Sequence, residues 1–507
     1  MTPYASFLYF GVLLYPALAT LLAGLSGVLR GRGFRLWILL ASAAMLVVQY
    51  WGVETVWPYI QLREIGVVIL YAAVEWGVAS AFLWLRPRSA SRWVFWLALA
   101  LGLAPLAAAK LLPLLSPSSA FGFLGISYVT FRALDVIFGI QDKLIVSLEL
   151  PRYLAYLFFF PSVSSGPVDR YRRFGEDWKR SRTRAEFLAD LDGAVHRVFT
   201  GFLYKFILAA LIKQYWLDPA AAAGGLVGTI SYMYAYSFYL FFDFAGYSAF
   251  AIGLSELFGI HTPENFDRPF LARNIREFWN RWHMSLSFWF RDHVYMRFVM
   301  AATRGRWFKD RYLASYLGFF LSFGLMGLWH GLQPFYLLYG LYHASLLSGL
   351  ELFSRWNRRR QLWRDGPGWR AASTLLTFQA VCFGFLLFSG HIGPTWAIGA
   401  GAPPQLESAL EKVGCDQISG WIWDRNHPDR KLRVEVVEGS TVLASAEADQ
   451  PRADLTSRGD SAYGFSMPFP DVLKDDQSHA VVVREASSAD PLTGKPRTLT
   501  CHPDELP

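Results

Sequence analysis

Long apolar segments alternate with short polar segments along residues 1–390 of the chain. An α-helix needs ~20 mostly apolar residues to cross the hydrocarbon core of a bilayer. Segments near this length are predicted to span the membrane at Phe7–Leu29, Leu36–Val53, Ile65–Leu85, Trp93–Ala109, Phe121–Ile140, Val195–Ile212, Leu226–Gly259, Tyr312–Leu332, Phe335–Phe353 and Thr374–Gly390. With re-entrant pieces included, the pattern predicts about ten to twelve membrane-crossing segments.

The pattern changes after Gly401, where apolar and polar residues begin to alternate. Leu432–Val437 and Ala480–Val483 have the period and the β-branched content of strands. Gly, Pro and Asp interrupt the segment every ~8–12 residues, as they do in small antiparallel β proteins. We therefore predict a β-sandwich-like domain from about Glu407 to Leu499.

These two patterns divide the chain into a membrane domain at residues 1–400 and a soluble β domain at residues 401–507. Within the β domain, Trp421, Trp423 and Asp424 have the chemistry needed to contact a sugar. Packing in an aromatic core is the commoner role of such tryptophans, and we expect it here.

Composition supports a membrane protein, because 53% of the 507 residues are hydrophobic and only 17% are charged. Mean hydropathy is +0.25, which excludes an ordinary soluble globule. The fold class is therefore an all-α polytopic membrane protein with a small C-terminal β domain. The net charge of +8 resides mostly in loops beside apolar runs, so nucleic acid is not an expected partner. The three cysteines have no metal-binding spacing, and we expect neither a metal site nor a bound cofactor.

Arginine clusters orient the predicted spans, because positively charged loops remain in the cytoplasm. They follow the first and third spans and precede the last; their members are Arg30, Arg32, Arg35, Arg86, Arg88, Arg92, Arg355, Arg358, Arg359, Arg360 and Arg364. This arrangement predicts a multi-pass protein of the cytoplasmic (inner) membrane with its N-terminus outside. The segment after His391 is then extracytoplasmic. The first apolar run is long enough to span, so we expect no cleaved signal peptide.

Aromatic and charged residues mix closely between Pro263 and Met300. The charged residues of this stretch include Arg273, Arg276, Glu277, Arg281, Asp292 and Arg297. Each would cost several kcal/mol at bilayer depth without a partner. We therefore predict short amphipathic or re-entrant helices whose polar groups face protein or a water-filled cavity.

Four polar residues in or near apolar runs are candidates for chemistry. Asp243 is a functional candidate because it lies inside a span, although pairing with a nearby arginine is the more common role. His293 follows Asp292 and is expected to pair with it. His283 lies at the centre of the aromatic and charged stretch.

His330 ends a run that contains Gly324, Gly327 and Gly331. The orientation above places His330 in the outer half of the membrane, and the glycines permit close helix packing or leave room for a substrate. A neutral imidazole there suits a general base that acts on a hydroxyl. A hydrogen-bonded packing histidine is the alternative.

Several runs together resemble the membrane-bound O-acyltransferase family; they are Phe242–Ser248, Pro263–Phe266, Phe278–His283 and Met326–Gly331. Ser287–Met300 looks like the D-alanyl-transfer branch of this family, and Gly125–Arg132 also fits. The resemblance covers about Met1 to Gly390 and leaves out the β tail, which is similar to accessory modules found beside glycan-modifying enzymes.

The resemblance implies a ring of transmembrane helices around a thin central region, with a tunnel between the two faces. It also implies that an acyl group, D-alanyl in this branch, arrives as a thioester on the phosphopantetheine arm of a cytoplasmic carrier protein. The acceptor would be a hydroxyl of a cell-envelope glycan, such as teichoic acid or lipopolysaccharide, or of an intermediate. By motif match, His330 takes the place of the catalytic histidine and His283 that of the second histidine that the family needs.

Further site residues are expected around these two histidines. We predict that the substrates contact Asn280, Arg281, Trp282, Asp243 and Trp329. We predict that the acidic carrier docks on Arg291, Arg297, Arg304 and Arg306, with Lys309 nearby. Two alternatives remain: O-acetyl transfer to an exported polysaccharide, and transport or flipping of a decorated lipid.

Cys415 and Cys501 flank the predicted β domain. The orientation above places them outside the cytoplasm, where disulfides persist. Because the ends of a small domain are commonly close together, we predict that they form a disulfide. Two unpaired thiols are the alternative, since the separation of their Cα atoms cannot be read from sequence.

Overall fold

The computed structural model of the protein describes residues 3–4, 7–26, 31–49, 51–52, 59–60, 62–89, 91–115, 122–223, 225–360, 366–392, 406–424, 431–438, 441–455, 462–486, 492 and 497–502. The chain divides into two compact units, Met1–Gly393 and Pro394–Pro507. The predicted domain boundary after residue 400 lies outside the described residues, as do Arg30 and Arg364. The same is true of Leu29, Val53 and Phe121, at the ends of three predicted spans.

The first unit is helical. Its α-helices are α1 (Phe7–Leu25), α2 (Gly31–Gln49), α3 (Leu62–Leu85), α4 (Arg92–Leu115), α5 (Ile126–Gln141), α6 (Leu150–Leu157), α7 (Tyr171–Lys179), α8 (Arg184–Phe202), α9 (Ala210–Ile212), α10 (Asp218–Ala223), α11 (Gly225–Leu257), α12 (Ile275–Trp279), α13 (Met284–Phe290), α14 (Met296–Arg304), α15 (Arg311–His330), α16 (Pro334–Arg360) and α17 (Pro367–Phe388). Segments of π-helix occur at Leu203–Ala209, Lys213–Leu217 and Arg291–Tyr295, and 3-10 turns at Phe160–Ser162 and Pro269–Leu271. Two short strands of two residues each, β1 (Trp51–Gly52) and β2 (Tyr59–Ile60), pair in antiparallel orientation.

Seven helical segments of the described chain are long and apolar enough to cross a membrane. They are Phe7–Leu25, Ile65–Leu85, Arg92–Leu112, Arg184–Ala223, Gly225–Leu257, Tyr312–His330 and Pro367–Phe388, and the apolar helix Gly33–Gln49 is shorter. The prediction of a polytopic membrane protein is confirmed, and seven of the ten individually predicted spans overlap these segments. Two predicted spans account for much of the difference: α5 is short and almost entirely buried in protein, and α16 carries polar residues such as His343 and Glu351.

The burial of α5 explains a charge that the sequence placed in an apolar run. Arg132 is 1% exposed and has no carboxylate among its hydrogen-bond partners; it donates to the carbonyls of Tyr156, Leu157 and Ser162 at 3.3, 3.0 and 2.6 Å. These acceptors lie at or just after the C-terminal end of α6, where helix carbonyls lack intrahelical donors. Arg132 therefore fastens α5 to the next helix, and its buried cation is compensated by hydrogen bonds.

Helices α15 and α16 pack closely at two glycines. A Cβ atom on Gly327 would lie 2.4 Å from the Tyr336 carbonyl oxygen, and one on Gly340 would lie 2.2 Å from that of Phe323. By contrast, a Cβ atom on Gly324 would meet nothing within 4 Å. Gly327 therefore serves helix packing, which holds the end of α15 in place.

The second unit contains two four-stranded antiparallel sheets, as predicted. One has the order β10-β9-β5-β6 and the other the order β3-β4-β8-β7. The strands are β3 (Leu406–Val413), β4 (Gln417–Asp424), β5 (Arg433–Glu438), β6 (Thr441–Glu447), β7 (Gln450–Pro451), β8 (Ala462–Pro468), β9 (Ser478–Glu485) and β10 (Arg497–Thr500). Apolar residues of both sheets share one core, which is typical of a β-sandwich.

Strand β4 corrects one expectation about this core. Ile418 and Ile422 are buried in it, whereas Trp421 and Trp423 are half-buried on the opposite face of the strand. Successive side chains of a strand point to opposite faces, so the two tryptophans cannot share the core with the isoleucines. Asp424 is fully buried.

Cys415 and Cys501 form the predicted disulfide, with their Cα atoms 5.4 Å apart. The remaining cysteine, Cys382, is unpaired and buried in α17. The disulfide closes a long loop, which in the chain-entropy model stabilises a folded domain by ~4 kcal/mol.

We expect maleimide labelling of denatured, unreduced protein to modify one thiol per chain, Cys382, and labelling after reduction to modify three. A Cys382→Ser variant provides the control, because it should label only after reduction. Complete labelling of Cys415 and Cys501 without reductant would contradict the pairing.

Candidate active site

The mixed aromatic and charged stretch folds into short helices, as the sequence predicts. Helix α12 ends at Trp279, a turn follows, and α13 begins after His283. His283 has a left-handed backbone, with φ 42° and ψ 50°, an uncommon conformation for a residue other than glycine. The Met284 amide holds this turn by donating to the Asn265 carbonyl at 3.0 Å.

The His283 side chain is 5% exposed and has one hydrogen-bond partner. Its Nδ1 lies 3.3 Å from Oδ1 of Asn265. Among the described residues its Nε2 has no hydrogen-bond partner. The ring lies edge-to-face with Phe244, with ring centroids 4.7 Å apart.

His330 is the last residue of α15 and is half-buried among aromatic rings. The ring centroids of Trp329 and Phe388 lie 4.4 and 4.8 Å from the imidazole centroid, and that of Tyr336 lies at 5.9 Å. The imidazole therefore lies in a mainly apolar setting, where it is available as a base.

One small cavity brings the two histidines together, and we call it the chamber. Its volume is about 60 Å³. It is lined by Leu240, Phe244, Trp279, Trp282, His283, Leu286, Met326, His330, Tyr339, Phe385 and Phe388. No Asp, Glu, Lys or Arg lines it, so a polar group inside would meet the two imidazoles and aromatic faces. The described residues contain no cluster of side chains suited to a metal ion.

A larger cavity of about 410 Å³ adjoins the chamber, and we call it the vestibule. Trp279 and Met326 line both cavities, so these two side chains form the wall between them. Arg276 and Arg291 line the vestibule, and Arg276 donates to Glu351 at 2.6 Å. The vestibule thus combines aromatic groups with two arginines and the carboxylate of Glu351, and the chamber is mainly apolar.

The predicted substrate residues occupy different places. Trp282 lines the chamber, Asn280 is exposed and lines the vestibule, and the Trp329 ring contacts His330 at an interplanar angle of 59°. Arg281 lines neither cavity and donates to Glu277 at 2.6 Å. Asp243 forms an ion pair with Lys205. Asp243 is thus paired with a basic residue, as the alternative to a functional role predicted, although the partner is a lysine and not an arginine.

Of the predicted carrier-docking arginines, two form ion pairs and two have no ion-pair partner among the residues that the structure describes. Arg291 donates to Asp292 at 2.9 Å, and Arg297 pairs with Asp142. Arg304 and Arg306 are exposed on and just after the last turn of α14. Arg306 and Lys309 also line a separate cavity of about 390 Å³.

His293 does not pair with Asp292 as predicted. Its Nε2 lies 3.0 Å from Oδ1 of Asp135, and its ring stacks on Phe138 at 4.3 Å. Arg170 donates a hydrogen bond to Asp292 at 3.0 Å and another to Asp135 at 2.8 Å. Adjacent helical side chains point in different directions, so the short imidazole meets Asp135 of α5, whereas the longer side chain of Arg291 still reaches Asp292.

Sequence reasoning did not find the role of Asn265 or of the chamber walls from α11 and α17. Asn265 is fully buried and contacts His283, Ser285 and Ser248. The only sign of it in the sequence was its place in the run Pro263–Phe266, which carries part of the resemblance.

Comparisons with known proteins identify the family. A family model of the membrane-bound O-acyltransferases matches residues 118–389, which include both histidines and every residue of the chamber. The chain belongs to the membrane-bound O-acyltransferase family. It is therefore an acyltransferase embedded in a membrane.

Individual relatives refine the comparison. The teichoic acid D-alanyltransferase of Bacillus subtilis (strain 168) is 42% identical over 404 residues, 77% of this chain and 98% of the relative. The protein of the same name from Streptococcus thermophilus is 35% identical over 420 residues, 78% of this chain and 97% of the relative. The probable alginate O-acetylase AlgI of Pseudomonas aeruginosa is 32% identical over 231 residues, 44% of this chain and 42% of the relative.

Proposed function

We propose that this acyltransferase moves a D-alanyl group from the phosphopantetheine thioester of a cytoplasmic carrier protein to a hydroxyl of an extracytoplasmic cell-envelope glycan or an intermediate. The single observation that carries the proposal is the chamber, which both histidines line and which shares a wall with the vestibule. The likeness to teichoic acid D-alanyltransferases over nearly their whole length supports D-alanyl as the group transferred.

The two cavities suit two substrates that approach from different directions. The phosphopantetheine arm occupies the vestibule, where Asn280 offers amide hydrogen bonds and Arg276 and Arg291 offer positive charge to its phosphate. The thioester then reaches the chamber past Trp279 and Met326. The acceptor hydroxyl approaches His330 from the other side, with Trp282 and Trp329 holding the reacting groups in place.

The reaction is an acyl transfer with one proton to be moved. The acceptor oxygen attacks the thioester carbonyl carbon while His330 takes the hydroxyl proton. The carbon–sulfur bond then breaks, and the proton passes from His330 to the departing thiolate. The products are an ester and a free carrier thiol. Apolar walls exclude water that would otherwise hydrolyse the thioester.

Orientation follows from the arginine clusters. We place the protein in the cytoplasmic membrane with the carrier surface inside and the β domain outside. The disulfide between Cys415 and Cys501 supports an oxidising compartment for that domain.

Reconstituted transfer tests the function directly. Purified protein in liposomes receives carrier protein charged with D-alanyl or with acetyl, and labelled ester on an added glycan acceptor is measured. D-alanyl ester formation is the expected result. Acetyl transfer alone would favour the activity named for the alginate relatives, and transfer of neither group would favour a transporter.

Plugging the wall between vestibule and chamber should stop transfer. In a Met326→Cys variant, a benzyl methanethiosulfonate reagent would attach a bulky group where both cavities meet. We expect transfer to fall by ~10-fold or more after modification, because the thioester must be held near the attacking oxygen. Reversal by reductant separates blockage from unfolding.

Two controls accompany the plug experiment. Treated wild-type protein reports any effect at Cys382, and a Leu347→Cys variant places the reagent in the vestibule away from the shared wall. Full activity of the modified Met326→Cys variant would contradict a donor path past this wall.

Carrier docking should depend on charge. Acyl carriers are usually acidic, so reversing Arg304 and Arg306 to glutamate should raise the donor KM by ~10-fold at low salt. The effect should shrink as ionic strength rises, because the Debye length is only ~10 Å at 0.1 M salt. Reversal of Arg358 and Arg359 provides a matched control, and an equal effect there would contradict a specific docking surface.

A further inference from the structure

We infer that Asn265 positions His283 as a hydrogen-bond acceptor that recognises the ammonium group of an aminoacyl donor inside the chamber. This inference rests on the proposed function and adds to it the group that selects an aminoacyl thioester over a plain acyl thioester. It begins from the hydrogen bonds around Asn265, which determine where the protons of His283 lie.

Ser285 supplies the first step. The Val168 amide donates to Ser285 Oγ at 2.9 Å, and Ser285 Oγ lies 2.6 Å from Oδ1 of Asn265. A separation of 2.6 Å is typical of an O–H···O bond and short for an N–H···O bond. The Ser285 hydroxyl therefore donates to Asn265, and the atom that accepts is the amide oxygen.

Ser248 agrees with this amide orientation. The other end of the Asn265 amide, Nδ2, lies 3.1 Å from Ser248 Oγ, a normal length for an N–H donor. With both ends of the amide assigned, the oxygen Oδ1 faces His283.

The tautomer of His283 follows from that oxygen. Because Oδ1 only accepts, the Nδ1 atom of His283 at 3.3 Å carries the proton. A neutral imidazole holds one proton, so Nε2 has a free lone pair. This Nε2 is buried, has no partner among the described residues, and belongs to a side chain that lines the chamber.

Asn265 also holds the backbone of His283. Its carbonyl accepts from the Met284 amide at 3.0 Å, directly after the left-handed residue. A single residue thus determines both the position of the imidazole and which nitrogen is bare.

Besides His330, which the proposed function assigns to the acceptor, the chamber offers an ammonium group two kinds of contact that suit it in a dry site. One is the bare Nε2 of His283, which accepts an N–H bond. The other is a wall of aromatic faces, provided by Phe244, Trp279, Trp282, Tyr339, Phe385 and Phe388. Aromatic faces attract cations, most strongly where water is excluded. No carboxylate lines the chamber to take this role.

The experiment compares two donors that differ only in the amino group. Carrier protein is charged with D-alanyl or with propionyl, and kcat/KM is measured for each in full-length protein. We expect wild type to favour D-alanyl by ~10-fold or more, since hydrogen bonds to charged groups are among the stronger ones. An Asn265→Leu variant should lose most of this preference, chiefly by slowing D-alanyl transfer.

Three comparisons make the result specific. A Thr262→Val variant changes a buried residue whose hydroxyl has no hydrogen-bond partner among the described residues, and it should keep the preference. A His330→Ala variant should slow both donors equally. Thermal unfolding of each variant shows whether the fold survives.

The outcomes separate the inference from the function beneath it. If wild type uses neither donor or only propionyl, the proposed D-alanyl transfer is wrong. If wild type uses both donors equally, or if folded Asn265→Leu protein slows both by the same factor, D-alanyl transfer stands and the ammonium site is overturned.

Discussion

Replacing His330 with alanine should lower acyl transfer by ~10²–10⁴-fold, the usual cost of losing a general base. The other titratable groups that line the chamber are His283, which the proposal assigns to the donor, and Tyr339, whose neutral phenol is a poor base, so His330 is the group expected to take the acceptor proton. The measurement is ester formation by purified protein from D-alanyl carrier thioester and glycan acceptor. Binding of charged carrier should change little, because the vestibule is not altered.

His343 provides the matched control for this variant. It is fully buried in α16 and accepts a hydrogen bond from Trp279 Nε1 at 3.3 Å, but it lines neither cavity. A His343→Gln variant should retain transfer within ~10-fold, as expected for a change that only shifts packing. Near wild-type transfer by folded His330→Ala protein would remove His330 from the mechanism.

Replacing His283 with alanine should lower transfer by ~10²-fold or more, because the bound thioester loses its contact on the donor side. We expect slower transfer from charged carrier and a weaker preference for an aminoacyl donor. Single-turnover rates separate the loss of donor positioning from a loss of carrier binding.

A double variant shows whether the two histidines act together. If they serve one reaction in one chamber, replacing both should cost much less than the product of the single losses. Fully multiplicative effects would mean that they act in separate steps, and unchanged turnover by folded His283→Ala protein would make His283 structural.

Much of the fold could be predicted from the sequence because membranes and strands impose simple periods. Spans such as Ile65–Leu85 and the change at Gly401 follow from segment length and from alternation. The apolar residues of helix α5, inside the predicted span Phe121–Ile140, are nearly all buried against protein instead of being available to lipid. Hydropathy does not distinguish these two environments.

The site could be predicted only in part. His283 and His330 emerged from their apolar settings and from the resemblance, and the structure places both on one chamber. The pairing of His293 with Asp135 joins residues far apart in the chain, so no local pattern could reveal it. The orientation of the Asn265 amide likewise depends on three segments that meet only in the fold.

The small volume of the chamber has a consequence for the membrane as a whole. A volume of about 60 Å³ leaves room for only a few waters at once. Such a space cannot hold a hydrated ion, and no Asp, Glu, Lys or Arg side chain lines it. The proposed transfer would therefore carry an acyl group through a space that is too small for a hydrated ion to accompany it.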